Sequence, residues 1–203
     1  MTQLGFIINL DVCMDCRGCQ TACKIRQDSP MGVYSTEVFQ NTSGEYPNDE
    51  CYFIAIMCQH CSKPSCVDAC KCGNLVKNEQ GVVLIVDQEK CAECADKACA
   101  AECPYNAIRI DRVSGKAYKC DMCQDLVAEG KRPACVAGCL NQAYFSGDLD
   151  DPDSLVSQMI AGYGEEYIHQ LKPESGVEPN IYYFLSRKPW RDMDYLYSQN
   201  WHE

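Results

Sequence analysis

Groups of closely spaced cysteines constrain this chain more than any other feature of its sequence. The first group, from Cys13 to Cys23, reads C-x2-C-x2-C-x3-C, a spacing typical of proteins that bind two cubane iron–sulfur clusters. Three closely spaced thiolates can ligate one cluster, while the fourth, three residues further on, reaches a different cluster. The first motif therefore predicts a second motif elsewhere in the chain with the reciprocal arrangement.

The cysteine content narrows the class of protein. The chain has 203 residues and 18 cysteines, far above ordinary usage, so either a disulfide scaffold or a metal protein is expected. Residues 1–10 lack the basic region and long apolar run of a signal peptide. We therefore expect reduced, metal-bound thiols. The longest apolar run, residues 82–86, is far too short to span a bilayer, so direct membrane insertion is not expected.

The charge of the chain excludes one class of partner. With 29 acidic against 18 basic residues, the formal net charge is -11, which argues against nucleic-acid binding. Four [4Fe-4S] clusters with their thiolates would bring the charge to roughly -19. Burying that charge requires backbone N–H groups directed at sulfur, and small residues in the cysteine motifs allow such close approach.

Three further motifs complete the pattern. The second and third read C-x2-C-x4-C-x3-C and the fourth C-x2-C-x11-C-x3-C. Hairpins predicted over 74–87 and 107–119 lead into the next motif, which makes an internal repeat. Crossed pairing of the motifs gives four complete sites. The predicted ligand sets are Cys13, Cys16, Cys19 and Cys139; Cys120, Cys123, Cys135 and Cys23; Cys58, Cys61, Cys66 and Cys103; and Cys91, Cys94, Cys99 and Cys70.

Zinc is the competing metal for these cysteines. Structural zinc sites usually combine two separated C-x2-C pairs. Here three motifs have a third cysteine soon after the first pair, and all four end with a cysteine at x3, which favours four [4Fe-4S] clusters.

Several residues near the motifs fall outside the ligand sets. Cys51 and Cys72 are predicted to be free thiols, although Cys72, two residues from Cys70, could replace it as a ligand. His60 lies between two cysteines of a site with a full set, so we expect it to support the site rather than ligate. Cations beside the cysteines would raise cluster potentials. The candidates are Arg17, Lys119 and Lys63, of which Lys63 is expected to be ordinary solvated charge.

The predicted fold class is α+β, with two bacterial-ferredoxin-like two-cluster lobes, one inserted in the other. Lobe A comprises 1–50 and 106–150, lobe B comprises 51–105, and 151–203 is a helix followed by an aromatic tail. Residues 24–57 carry no ligand motif and read as a long loop, either a solvated insertion or a docking surface. Asp151 is expected to cap the helix, with Pro152 in its first turn.

The tail from residue 181 concentrates aromatic side chains. Seven of the 19 aromatic residues of the chain lie in its last 23 residues. They either pack across the protein's own core or form a partner interface, and we favour the interface because interfaces are rich in Tyr and Trp. These residues are Tyr182, Tyr183, Phe184, Trp190, Tyr195, Tyr197 and Trp201.

The chain resembles the four-cluster iron–sulfur subunits of DMSO-reductase-type molybdopterin oxidoreductases. The resemblance rests on the order of the four motifs and on the runs 118–123, 133–136 and 147–154. It implies a non-catalytic subunit of a heterodimer, relaying electrons to or from a catalytic subunit that holds molybdenum or tungsten on pterin. It further implies that the Cys13 cluster lies nearest that subunit, followed by those of Cys23, Cys103 and Cys70. Sulfur compounds, arsenate and phenolic rings are substrates in the family, and the sequence does not choose among them or fix the direction of electron flow.

Other readings stay open at this point. A stand-alone polyferredoxin would need neither the tail nor the 24–57 segment. An iron–sulfur enzyme would need an open iron site, whereas all four sites here look closed. A membrane anchor or a soluble redox partner could complete the relay. Both a cytoplasmic location and a periplasmic one, reached by export with a partner bearing a twin-arginine signal, agree with the sequence.

Overall fold

Short strands and helices alternate along the chain, with the cysteine motifs between them. The computed structural model describes residues 2–45 and 47–192. Within these residues the strands are β1 (Leu4–Asn9), β2 (Thr36–Ser43), β3 (Glu50–Met57), β4 (Leu75–Lys77), β5 (Val83–Ile85), β6 (Arg109–Ile110), β7 (Ala117–Tyr118), β8 (Tyr144–Asp148), β9 (Ile168–His169) and β10 (Ile181–Phe184). The helices are α1 (Gly18–Gln27), α2 (Ser65–Asp68), α3 (Gln88–Glu93), α4 (Ala98–Ala101), α5 (Gln124–Ala128), α6 (Ala134–Ala137) and α7 (Leu155–Gly162).

A four-stranded sheet in the order β8-β1-β10-β9 joins segments that are remote in sequence. Strand β1 pairs antiparallel with β8 and parallel with β10, where Phe6 lies opposite Ile181. Phe6, Ile7 and Ile8 are 0% exposed. This run is apolar on both faces, as expected for a strand with neighbours on both edges and packing on both sides.

Three antiparallel hairpins stand apart from this sheet: β2 with β3, β4 with β5, and β6 with β7. The last two confirm the hairpins predicted over 74–87 and 107–119. In the first of them the side-chain oxygen of Asn78 accepts hydrogen bonds from the backbone N–H groups of Gln80 (3.0 Å) and Val82 (2.8 Å), which is the turn chemistry that asparagine favours.

The expectation of a long loop over residues 24–57 is wrong. Helix α1 continues to Gln27, and β2 and β3 form a hairpin with eight residues in each strand. Strand β3 enters the core: Ile54 is 0% and Met57 1% exposed. Turn-forming residues over 41–49 suggested a loop, but Asn41 to Ser43 belong to β2 and only the residues between Ser43 and Glu50 connect the two strands. Tertiary burial of the apolar run in β3 favours the hairpin.

The expectation that the aromatic tail forms a partner interface is wrong for its first part. Ile181 and Tyr183 are 0% exposed in β10, because the strand lies beside β1 inside the sheet. The indole of Trp190 stacks on the ring of His169 with centroids 4.6 Å apart. Tyr195, Tyr197 and Trp201 lie outside the described residues, and their contact with a partner stays a prediction.

Helix α7 packs against β8 through Val156, which is 0% exposed. A Cβ on Gly147 of β8 would lie 2.9 Å from a Val156 methyl carbon, so the strand needs glycine there. The cap of this helix is Ser154, whose side chain accepts a hydrogen bond from the N–H of Ser157 at 3.2 Å. Asp151 instead stabilises the preceding turn, so the expectation that it caps the helix is wrong.

The chain is a mixed α and β protein. Across the part that the structure describes, no helix combines the length and apolar character needed to span a bilayer.

Candidate iron–sulfur centres

The helices that carry motif cysteines pack in two pairs. Helix α1 of the first motif packs against α6 of the fourth, and α2 of the second motif packs against α4 of the third. The Ser65 hydroxyl of α2 donates to the Glu102 carbonyl oxygen just after α4, at 2.8 Å. Each pair therefore brings two motifs together, with motif one beside motif four and motif two beside motif three.

The residue before the second cysteine adopts a left-handed backbone conformation in three motifs. The φ angles are 54° at Asp15, 46° at His60 and 57° at Met122. This conformation is uncommon for residues other than glycine and concentrates at functional sites. The third motif differs, because Cys91 lies in α3 and Cys94 caps the end of that helix.

A recurrent turn follows the last cysteine of the second, third and fourth motifs. In each turn the third residue after the cysteine has positive φ, and the N–H of the fourth points at the cysteine sulfur. Such N–H···S contacts stabilise thiolate ligands. The contacts are Asn74 N to Cys70 Sγ (3.3 Å), Ala107 N to Cys103 Sγ (3.4 Å) and Ala143 N to Cys139 Sγ (3.2 Å), after Gly73, Asn106 and Gln142.

Further donors reach the sulfurs from positions that sequence reasoning missed. The side-chain amide of Asn74 donates to Cys91 Sγ at 2.9 Å, and the N–H of Ala134 reaches Cys123 Sγ at 3.4 Å. Asn74 lies just before β4 and precedes the third motif by 17 residues, so no local pattern marks it. Only the folding of the β4–β5 hairpin brings it to that sulfur.

Cysteines of the first and fourth motifs lie close enough to influence one another electrostatically. Burial raises the pKa of Cys13 to about 11, and the charges of Cys19 and Cys139 act in the same direction. Burial likewise raises the pKa of Cys23 to about 11, with Cys123 contributing through its charge. The last cysteine of each motif thus lies near cysteines of the other motif.

The second and third motifs show the same crossed neighbourhood. Burial raises the pKa of Cys66 to about 12, and the charges of Cys58 and Cys103 add to the effect. Burial also raises the pKa of Cys99 to about 11, with Cys70 as the strongest neighbouring charge. The last cysteines of the second and third motifs thus each lie near cysteines of the other motif.

The donor sets fit [4Fe-4S] clusters. Thiolates that are largely buried and repel one another need a positively charged core to hold them, and iron bound through four cysteines would supply it. Among residues 2–45 and 47–192, no three His, Cys, Asp or Glu side chains converge as they would on a single metal ion. The thiolates of a cubane bind four different iron atoms, so they stand further apart than the ligands of one ion.

His60 is fully buried and neutral. Burial lowers the pKa of His60 well below its ordinary value, and the charges of Lys119 and Lys77 act in the same direction. Its Nδ1 accepts the N–H of Val83 at 3.1 Å, so the proton of the neutral ring lies on Nε2. Nε2 has no hydrogen-bond partner among the described residues.

Lys119 is the buried cation of the site. The residue is 4% exposed, and its ammonium donates to the Cys120 carbonyl at 2.6 Å and to the Val83 carbonyl. Burial raises the pKa of Cys66, Cys103 and Cys120, while the positive charge of Lys119 acts in the opposite direction on all three. The ammonium therefore lies between two cysteine sets.

The other candidate cations are exposed. Lys63 pairs with Glu178 and its side chain is 70% exposed, while Arg17 pairs with Asp15 and is 57% exposed. All 18 cysteines lie within the described residues and are free thiols. Cys51 lies in β3, and Cys72 is exposed beside Cys70.

The sequence is similar to a 4Fe-4S domain family and to subunits of known oxidoreductases. Residues 49–149 match the 4Fe-4S dicluster domain family. The B subunit of sulfite dehydrogenase from Allochromatium vinosum is 34% identical across 96% of this chain and 88% of that protein. The B subunit of anaerobic dimethyl sulfoxide reductase from Escherichia coli is 33% identical across 88% and 90%. The B subunit of tetrathionate reductase from Salmonella typhimurium is 33% identical across 89% and 72%.

Proposed function

Because this protein belongs to the family of iron–sulfur (beta) subunits of DMSO-reductase-type oxidoreductases, we propose that it relays electrons through four [4Fe-4S] clusters to or from a molybdopterin-containing catalytic subunit. Family membership confirms the resemblance inferred from the sequence. The chain is an electron-transfer subunit and not the catalytic one. The stand-alone polyferredoxin is not favoured, since the relatives are named as subunits of larger enzymes.

The crossed grouping of the cysteine thiols supports the proposed number of four clusters. Sixteen of the 18 cysteines fall into the four motifs, and each motif ends with a cysteine that neighbours another motif. The proposed ligands are the four sets predicted from the spacing. Each bound cluster would accept and release one electron.

The packing of the helices supports two lobes, one inserted in the other. The contacts of α1 with α6 and of α2 with α4 favour a lobe from motifs one and four around a lobe from motifs two and three. A smaller apolar cluster contains Cys66, Leu75 and Cys91 of the inner motifs together with Ile108 of the hairpin that follows them, which supports an inner lobe whose interior extends into that hairpin.

The protein's own residues would hold and tune the clusters. The turns after Cys70, Cys103 and Cys139 direct N–H groups at thiolates, which offsets part of the cost of burying negative charge. The Lys119 ammonium adds a fixed positive charge between two sets. A positive charge favours the reduced, more negative form of a cluster, and so raises its potential.

The catalytic subunit is proposed to dock beside Cys16. That cysteine is exposed, and the apolar residues around it, Val12, Met14 and Leu140, are 37%, 49% and 73% exposed. The side-chain amide of Asn141 donates to the Val12 carbonyl at 2.8 Å and so joins the two loops that carry them. Exposed apolar residues around a redox site favour a protein partner there.

Metal analysis and co-purification test the proposal. Anaerobically prepared protein should contain about 16 iron and about 16 sulfide per chain. From the native host it should co-purify with a large subunit that contains molybdenum or tungsten. Stoichiometric zinc with little iron would refute the clusters, and purification as a lone chain would refute the relay role.

Replacement of Cys139 by Ala tests the crossed ligation. The variant should lose the cluster of Cys13, Cys16 and Cys19 and retain that of Cys120, as followed by electron paramagnetic resonance. Loss of the Cys120 cluster instead would show that each motif ligates its own cluster.

A further inference from the structure

One cavity holds more thiols than a [4Fe-4S] cluster needs. It is lined by Cys70, Cys72, Cys91, Cys94 and Cys99, whereas four thiolates complete a cluster. The sulfur of Cys72 lies 3.8 Å from that of Cys70, and the Cys72 thiol also interacts with Cys94. Cys72 is therefore part of the cysteine cluster and not an isolated surface thiol.

The contacts of the two neighbouring cysteines differ. Cys70 Sγ accepts hydrogen bonds from the N–H groups of Asn74 at 3.3 Å and Leu75 at 3.4 Å, which favours its thiolate form. Cys72 is exposed, and its interactions are with other thiols of the cavity. Cys70 is thus the better resting ligand, and Cys72 is the spare thiol beside it.

We propose that Cys72 is an alternative ligand that replaces Cys70 at the same iron atom. The inference rests on the proposed ligation by Cys70, Cys91, Cys94 and Cys99. In the exchange the Cys72 thiol loses its proton and forms a bond to iron, while the bond from Cys70 to iron breaks and Cys70 takes up a proton. No electron is transferred, so the exchange needs no oxidant or reductant.

The geometry makes the exchange a local event. Both cysteines line one cavity, and because their sulfurs are 3.8 Å apart, a change in the χ1 rotamers of the two cysteines can exchange the sulfur nearest the other ligands. A cluster bound at this site would therefore survive the loss of Cys70 as a ligand. A cluster with only four neighbouring thiols has no replacement ligand.

Replacement of Cys70 by Ala tests the inference directly. Its matched control is Cys103→Ala, because Cys103 is also the last cysteine of its motif and receives an N–H in the same turn. Cys70→Ala should keep its full iron content, whereas Cys103→Ala should lose about four of about 16 iron atoms. The double variant Cys70→Ala/Cys72→Ala should lose as much iron as the control.

The outcomes separate this inference from the ligation on which it rests. If Cys70→Ala loses as much iron as Cys103→Ala, and removal of Cys72 adds nothing, the alternative ligand is refuted while the proposed ligation stands. If Cys91→Ala and Cys103→Ala both keep all their iron, the ligation is refuted, and the alternative ligand with it.

A second measurement avoids dependence on whether Cys70→Ala folds. The Cys72→Ala variant retains Cys70 and should bind its full complement of iron. When Cys70 dissociates from iron in this variant, no second thiol can take its place. A chelator should therefore remove the most labile iron of the Cys72→Ala variant several-fold faster than it removes the most labile iron of the wild-type protein. Cys51→Ala is the control, since Cys51 lies in β3 away from the cavity, and it should match wild type. Equal rates in Cys72→Ala and wild type would refute the inference.

Discussion

Gly18 lies so close to Gly138 that a Cβ on Gly18 would be 2.6 Å from the Gly138 carbonyl oxygen. In return, a Cβ on Gly138 would be 2.9 Å from the Cβ of Ala22. These two glycines set the separation of α1 and α6, and with it the distance between the first and fourth cysteine motifs.

Gly18→Ala should force the two helices apart. Overpacking of this kind costs about 1–3 kcal/mol, and the loss should appear as a lower thermal midpoint together with release of iron from the sites of the first and fourth motifs. Gly162→Ala is the matched control, because nothing lies within 4 Å of a Cβ at that position. An unchanged thermal midpoint in Gly18→Ala would mean that α1 and α6 can move apart at no cost in stability.

Lys119→Met should lower the reduction potentials of two clusters together. At an effective dielectric constant of about 20, two unit charges interact by about 4 kcal/mol at about 4 Å and by about 2 kcal/mol at about twice that separation. We therefore expect both potentials to fall by about 50–100 mV in a redox titration followed by electron paramagnetic resonance. Lys119→Arg keeps the charge and should stay near wild type, as should Lys63→Met at the exposed Lys63. Unchanged potentials in Lys119→Met would show that the ammonium does not act on the clusters.

Deletion of residues 181–203 should abolish folding and cluster loading, because it removes β10 from between β1 and β9. Deletion of 193–203 alone keeps every strand of the described residues and should leave the iron content unchanged while weakening co-elution with the catalytic subunit. Iron per chain and size-exclusion chromatography of the complex measure both effects. Unchanged co-elution after the shorter deletion would refute a role of the last residues in assembly.

Thiol reactivity of the iron-free chain should differ between two ligand cysteines. Burial raises the pKa of Cys13 from 9.0 to about 11, so at pH 8 it forms about 100-fold less thiolate than an ordinary cysteine. Burial also acts on Cys70, but hydrogen bonds from Leu75 and Asn74 outweigh it and lower the pKa of Cys70.

Alkylation at pH 8, read by mass spectrometry, should therefore modify Cys70 much faster than Cys13. The rate at Cys13 should rise about tenfold per pH unit up to about pH 11, since a raised pKa moves ionisation to higher pH. In denaturant the two rates should converge. Equal rates in the folded iron-free chain would contradict the burial of Cys13.

The spacing of the cysteines identified the family and the candidate site, but it did not predict the fold around that site. Ligand spacing is local, so C-x2-C runs identify a site without knowledge of tertiary structure. Strand pairing is not local: β1 beside β10 joins Phe6 to Ile181, and neither segment indicates its partner. The same limit hid the hairpin of β2 and β3 and the approach of Asn74 to Cys91.

The sequence also did not show which lysine near a cysteine is buried in the fold. The sequence shows a lysine next to a cysteine, as it does for Lys63 close after Cys61. Only the fold distinguishes them, because Lys119 is 4% exposed between cysteine sets while Lys63 pairs with Glu178 at the surface. Burial, and not adjacency in sequence, decides which charge acts on a cluster.

The parallel pairing of β1 with β10 also sets an order for biosynthesis. The β4–β5 and β6–β7 hairpins and the α2–α4 contact join nearby residues, so they can form while the chain is still leaving the ribosome. Strand β1 emerges before these elements but gains its parallel neighbour only after Phe184 has been made. Until then one edge of β1 lacks the strand to which it hydrogen-bonds. The middle of the chain can therefore fold before the two strands that flank it in sequence, β1 and β10, meet in the sheet.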